Sequence, residues 1–202
     1  FHSIPTDCPH REQNGWTGDS LMSAEQAIMN FDMKKAYHKW LQDFVDMQRP
    51  NGQLPGVVPS ADWGYNWGSG PAWDSAFILI PWYLYLEDDD TSIIKELWDN
   101  MVLYMRYMKR MCVDYIADFG LGDWCNPIDS PQLPNKVTDT AYFYVDSITM
   151  AKMAKLIGSD EREWIEDAKK IKSAWRKAFW EKEELKQYQT FYACAIYQGL
   201  LE

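Results

Sequence analysis

The sequence predicts an all-α protein, part of an α/α toroid, and three observations lead there. Apolar residues recur at helical spacing along most of the 202-residue chain, and strand signals are absent. The helical stretches also alternate in character. Those near 20–30, 71–88 and 139–157 are apolar or aromatic over much of their surface, whereas those near 33–48, 91–112 and 160–181 carry Lys, Asp and Glu on one face. A helix apolar all round is buried and an amphipathic one has a wet side, so the alternation predicts an inner ring of helices inside an outer ring. The connections alternate as well. Those at 49–70 and 113–138 are long and carry Pro, Gly, Trp and Asp, while those at 31–33, 88–91 and 157–160 are short. Long loops in a compact helical domain are usually functional; on one rim of a toroid they would form a pocket, and short turns would close the other rim.

The elements follow in order. The helix near 20–30 emerges from a loop rich in Pro and Gly, with Asp19 placed to cap it. In the helix near 33–48, apolar residues fall at 36/37, 40/41, 44/45 and 47. The helix near 71–88 is almost wholly apolar. Glu87 and the run Asp88-Asp89-Asp90 then read as a solvated acidic cap for the next helix. That helix, near 91–112, repeats Ile94, Leu97, Met101, Met105, Met108 and Cys112, and its methionines read as core. Gly158 ends the helix near 139–157, and Asp160 with Glu163 forms a candidate capping box for the helix near 160–181. Trp164, Ala168, Ile171, Trp175 and Phe179 line the inner face of that helix. Glu181, Glu183 and Glu184 read as its exposed end, and a last helix covers 188–202. Trp40, Trp98, Trp164 and Trp175 sit at helical spacing and are assigned to the core.

Bulk chemistry narrows the function. The net charge of −10 and pI near 4.8 leave no basic surface for nucleic acid or for an anionic membrane. No run of 18 apolar residues exists, so no membrane insertion is expected. Cys8, Cys112, Cys125 and Cys194 show neither metal spacing nor a disulfide framework, and His2, His10 and His38 are scattered. No metal and no cofactor is expected. Eleven Trp residues are a heavy load, suited both to helix packing and to stacking on sugar rings.

The most informative stretch is Asp7-Cys8-Pro9-His10-Arg11-Glu12-Gln13-Asn14-Gly15-Trp16-Thr17-Gly18-Asp19. It is poor material for a core and good material for presenting side chains. Carboxylates at 7, 12 and 19 could crowd one pocket, where like charges raise at least one pKa. A protonated carboxyl beside ionised ones is what acid-catalysed cleavage of a glycosidic bond needs, and Trp16 offers a flat face to a sugar. The plainer alternative is a polar connecting loop whose Asp19 caps a helix.

These residues also carry a resemblance. Asp-Cys-Pro-x-Arg-Glu followed by Gly-Trp-Thr-Gly-Asp resembles the signature of bacterial α-L-rhamnosidases, glycoside hydrolase family 78. Ser3-Ile4-Pro5-Thr6 fits upstream. Asn30-Phe31-Asp32, Trp40-Leu41-x-Asp43, Gln48-Arg49-Pro50-x-Gly52, Pro55-x-Val57-x-Pro59, Ala72-Trp73-x-x-Ala76, Ile80-Pro81-Trp82 and Gly120-x-Gly122-Asp123-Trp124 continue it downstream. The resemblance runs the length of the chain and implies an (α/α)6 barrel and an inverting hydrolase that releases terminal α-L-rhamnose. It places the general acid on Glu12 and sugar contacts on Asp7, Arg11, Trp16, Asp19, Trp73, Asp123 and Trp124. For Trp73 a buried helix position is the alternative, and for Asp123 and Trp124 a turn with a packed indole.

A full barrel of six hairpins has about twelve helices and this chain about seven, so the resemblance implies the first half of the barrel or slightly more. The family's general base lies further downstream, beyond residue 202. The 202 residues alone are therefore expected to be inactive. The partner is a rhamnose-containing glycoside or oligosaccharide. Phe1-His2-Ser3 opens directly into the signature without Met, so targeting information would lie upstream, and the compartment stays open between periplasm and secretion for a bacterial protein. Three other readings fit the same residues: a non-catalytic carbohydrate-binding helical domain, a toroid glycosidase for another sugar, and a helical scaffold. No fixed repeat supports the scaffold.

Overall fold

The computed structural model describes residues 3–125 and 131–201. Residues 126–130 of the long loop, Glu202 of the last predicted helix, and Phe1 and His2 lie outside the described residues. Among the described residues eight α-helices appear in order: α1 Thr17–Asn30, α2 Lys34–Met47, α3 Pro71–Asp74, α4 Ala76–Asp88, α5 Ser92–Met111, α6 Asn135–Ile157, α7 Arg162–Trp175 and α8 Gln189–Tyr197. A π-helical turn, Arg176–Trp180, extends α7, and a 3-10 turn, Glu183–Leu185, precedes α8. Among the described residues the only β pairings are isolated bridges, Trp16 with Val57 and Val113 with Ile116.

The inner helices are α1, α4 and α6, with α1 packed on α4 and α4 on α6. They run parallel. Tyr142, in the second turn of α6, reaches Met22 in the second turn of α1, and Tyr83 of α4 lies near Tyr142 and near Glu25 of α1. Residues similarly distant from each N-terminus therefore meet. Helix α6 is buried on most sides, and α4 buries Ala76 through Pro81 without a break. Helix α1 lays one face on the core through Leu21, Ala24 and Ile28, while Met22 and Met29 stay exposed.

The outer helices α2, α5 and α7 are amphipathic. Their inward rows, Tyr37, Trp40, Leu41 and Phe44, then Leu97, Met101, Tyr104, Met105 and Met108, then Trp164, Ala168, Ile171 and Trp175, are buried. Trp98 is half-buried, edge-on to Trp164 at 6.5 Å. Polar pairs tie these helices side by side. His38 and Gln42 meet Glu96 at 2.8 and 2.7 Å, Asn100 donates to Gln48 at 2.8 Å, and Lys109 pairs with Asp167 at 2.8 Å. A second apolar cluster joins α6, α7 and α8 around Trp175, Phe179 and Phe191.

Boundaries depart from expectation in a few places, each for a local reason. The 71–88 helix is interrupted at Ser75, whose hydroxyl turns to the Pro71 carbonyl and to Asp146. Helix α6 starts at Asn135, four residues earlier than expected, because Pro134 leads into it and the Asn135 side chain donates from Nδ2 to the Gly120 carbonyl at 2.7 Å. The Asp160/Glu163 capping box does not form. Asp160 accepts from the Arg162 amide at 3.0 Å and pairs with its guanidinium, while Glu163 reaches Arg106. Asp19 does not cap α1, which begins two residues earlier, at Thr17. The acidic turn does behave as a cap: Asp90 accepts from the Ser92 amide at 2.9 Å and pairs with Lys34 at 2.8 Å, which together hold its pKa down at about 2. All four cysteines are free.

Candidate active site

The signature loop is closed by its own residues. Asp7 and Asn14 exchange backbone and side-chain bonds: the Asp7 amide donates to the Asn14 carbonyl, and the Asn14 amide to Asp7 Oδ1, both at 3.0 Å. Within that frame Asp7, Cys8 and Glu12 gather, with one ligand atom of each lying within 4.8 Å of the others. The cation beside them is Arg11, whose guanidinium donates to Cys8 Sγ at 3.2 Å and to Glu12 Oε1 at 3.4 Å. Glu12 Oε2 accepts from Trp16 Nε1 at 2.9 Å. Glu12 is exposed yet held from both oxygens.

Asp19 stands in the first turn of α1, close enough to feel the charges of Asp7 and Glu12. Partial burial raises its pKa first, and the two neighbouring carboxylates raise it further. Asp19 therefore keeps its proton more readily than a free aspartate does.

Glycines let the loops close on this cluster. A side chain at Gly15 would stand 2.0 Å from the Val58 carbonyl oxygen. Without one, the Val58 amide donates to the Gly15 carbonyl at 2.8 Å and the Thr17 amide to the Gly56 carbonyl at 2.9 Å. These bonds clip the signature to loop 49–70, and Trp40 of the outer ring braces the clip by donating to the Val58 carbonyl at 2.8 Å. Gly18 lies against the indole of Trp73, where an added Cβ would come within 2.7 Å of the ring. Trp73 is half-buried, and its Nε1 has no hydrogen-bond partner. The next loop closes in the same way: an added Cβ at Gly120 would meet the Ser69 carbonyl oxygen at 2.0 Å, and one at Gly70 the Phe119 carbonyl oxygen at 2.5 Å.

Loops 3–16, 49–70 and the described part of 113–134 thus meet in a row at the N-terminal ends of α1, α3 and α6. Asp7, Arg11, Glu12, Trp16 and Asp19 form one cluster, with Trp73 packed beneath it. Asp123 and Trp124 stand on the third loop; the Asp123 carbonyl accepts from Gln132 at 2.9 Å, and Trp124 is 60% exposed. Their side chains make no described contact with the Glu12 cluster.

Two groups escaped the sequence reading. Trp63 and Trp67 pack on Trp16; the spacing Trp-Gly-x-x-Trp within a glycine-rich loop was the available signal. The other group is Asp74, Asp139 and Asp146, all buried in the core, with one oxygen of Asp74 and one of Asp146 lacking a hydrogen-bond partner. Single acids in long apolar helices gave no periodic signal.

An all-helical, two-ring fold with an acidic, aromatic cluster on one rim defines a six-hairpin glycosidase domain, represented here in part. The chain matches the bacterial alpha-L-rhamnosidase 6 hairpin glycosidase domain over residues 1–202 and belongs to that family. It is 30% identical to an alpha-L-rhamnosidase of Formosa agariphila over 215 aligned residues, covering all of this chain and 23% of the relative. It is 32% identical to one of Streptomyces avermitilis over 183 residues, covering 89% of this chain and 17% of the relative. Among solved structures, alpha-L-rhamnosidase from Dictyoglumus thermophilum superposes with a TM-score of 0.90 at 40% identity, over 99% of this chain and 24% of that one. The S. avermitilis enzyme complexed with L-rhamnose superposes with a TM-score of 0.91 at 27% identity, over all of this chain and 20% of that one. The chain spans about a quarter or less of the length of these relatives.

Proposed function

We propose that the chain is the acid-bearing part of the catalytic domain of an inverting α-L-rhamnosidase. The observation that carries this reading is the clustering of Asp7, Glu12 and Asp19, with Glu12 exposed and oriented by Trp16 and Arg11. Glu12 gives its proton to the glycosidic oxygen as the bond from that oxygen to the sugar's anomeric carbon breaks. A water attacks the anomeric carbon from the opposite face and loses a proton to a general base supplied from outside these 202 residues. Asp7 and Asp19 bond the sugar hydroxyls, Arg11 donates to them, and Trp16, Trp73 and Trp124 offer apolar faces, with Asp123 at the edge. The substrate is a rhamnose-containing glycoside or oligosaccharide.

The test uses the full-length parent enzyme and two substrates, an aryl α-L-rhamnoside with an activated leaving group and an alkyl α-L-rhamnoside. Glu12→Gln keeps shape and loses the proton. It should reduce hydrolysis of the alkyl substrate by about 10²–10⁴-fold and of the activated one much less. Equal loss on both removes Glu12 from the acid's role. Proton NMR of the first-formed sugar should show β-L-rhamnose, and initial release of the α anomer refutes inversion. The isolated 202 residues should show no useful turnover.

A further inference from the structure

Trp63 and Trp67, packed on Trp16, have no assigned place in the sugar pocket. Trp63 and Trp67 stack on each other with ring centroids 5.4 Å apart and planes inclined by 28°. Each also contacts Trp16, at 5.8 Å, edge-on from Trp63 and tilted from Trp67. The backbone around them is fixed. Ser60 Oγ accepts from the Trp63 amide at 3.0 Å and donates back to the Trp63 carbonyl. The Gly56 amide donates to the Gly64 carbonyl at 3.0 Å. Gly68 turns with φ +78°, and a Cβ there would come within 2.9 Å of the Trp16 ring, so only glycine lets the loop lie this close. Despite this anchoring Trp67 remains 55% exposed. Packing of the loop gives no reason to hold a large flat apolar ring open to water on a fixed backbone, whereas binding does.

We infer that Trp67, backed by Trp63, receives the leaving group of the glycoside and selects leaving groups with a flat, weakly polar face. The inference rests on Glu12 being the general acid. That acid must touch the glycosidic oxygen, so the group departing with the oxygen lies next to it. Glu12 is bonded to the Trp16 indole at 2.9 Å, and that indole touches Trp67 at 5.8 Å. The surroundings of Glu12 thus separate by chemistry. Asp7, Arg11 and Asp19 suit a hydroxyl-rich sugar. The indoles reached through Trp16 suit a ring with few hydroxyls on its face, such as a phenolic ring or the apolar side of a second pyranose.

The experiment uses the full-length parent enzyme, the variants Trp67→Ala and Trp67→Phe, and three substrates: an aryl α-L-rhamnoside, an α-L-rhamnosyl disaccharide and methyl α-L-rhamnoside, which lacks a leaving-group ring. Trp67→Ala should raise KM about tenfold for whichever ring-bearing substrate the platform serves, in line with the energy of an aromatic contact, and leave the methyl rhamnoside and the binding of free L-rhamnose unchanged. Trp67→Phe should restore most of the loss. A rise for the aryl substrate alone assigns the platform to aromatic leaving groups; a rise for the disaccharide alone assigns it to sugars. An equal effect on all three substrates and on free rhamnose, or no effect on any, overturns the inference. Failure of the wild-type enzyme to hydrolyse any rhamnoside instead overturns the reading on which it rests. Unchanged thermal unfolding of Trp67→Phe separates loss of the platform from loss of fold.

Discussion

Trp16 Nε1 is hydrogen-bonded to Glu12 Oε2 at 2.9 Å, so an indole read from sequence as a face for sugar also orients the acid. Trp16→Phe keeps an aromatic ring and removes the donor. In the parent enzyme it should lower kcat on the order of tenfold and leave KM for methyl α-L-rhamnoside within about twofold, because the acid loses the donor that holds it in line while the aromatic face remains. Steady-state kinetics decide it, and a rise in KM with kcat intact would leave Trp16 as a sugar contact alone.

The polar half of the site is tested by binding. Asp7→Asn, Asp19→Asn and Trp124→Ala should each weaken L-rhamnose binding by about tenfold, the carboxylates through lost charge-assisted bonds and the indole through lost apolar contact. Calorimetry on the parent enzyme measures this. Asp7→Asn should be accompanied by an unfolding curve, since Asp7 also accepts from the Asn14 amide. Unchanged affinity in all three removes the pocket assignment.

Loop closure makes a sharp contrast between two glycines. An added Cβ at Gly56 would lie 1.6 Å from the Gly68 carbonyl oxygen, whereas one at Gly158, with φ +75°, meets nothing within 4 Å. Gly158→Ala should cost about 1 kcal/mol through its left-handed backbone alone. Gly56→Ala should cost more than about 3 kcal/mol, because two backbones must part. Urea unfolding compares them, and equal costs would mean that the loops yield freely.

The buried acids predict a pH dependence. Burial raises the pKa values of Asp74, Asp139 and Asp146 well above 3.8, and the neighbouring charge of Asp74 adds to the rise at Asp139. The folded state then holds protons that the unfolded chain releases. Their contribution to stability is complete below the unfolded pKa of about 3.8 and is lost as pH rises from there through the raised folded values. Asp139→Asn removes one such titration, so its urea midpoint should fall less steeply with rising pH than that of the wild type. Parallel profiles would show that Asp139 does not titrate in this range.

The two-ring arrangement was legible because burial writes itself into side-chain periodicity: Leu97, Met101, Met105 and Met108 mark one face, and the unbroken apolar run of α4 marks an element enclosed on both sides. The signature cluster was legible because its residues are neighbours in the chain. Trp63 and Trp67 were not, since their role depends on glycines that let loop 49–70 lie on Trp16, and those close approaches join residues more than forty positions apart. Helix ends were least legible. Asp19 and Glu163 had the right chemistry for caps, but the backbone of α1 began at Thr17, ahead of Asp19, and Glu163 reached Arg106 instead.

The parallel course of the inner helices has an electrostatic consequence. Each long helix carries roughly half a positive charge at its amino end. With α1 and α6 parallel, their amino ends face the same rim, and that of α1 lies under the cluster of Asp7, Glu12 and Asp19, beside the Arg11 guanidinium. In a chain of net charge −10, that partial charge offsets part of the repulsion among these carboxylates. Because that offset is built into the backbone, substitutions on the surface cannot dilute it.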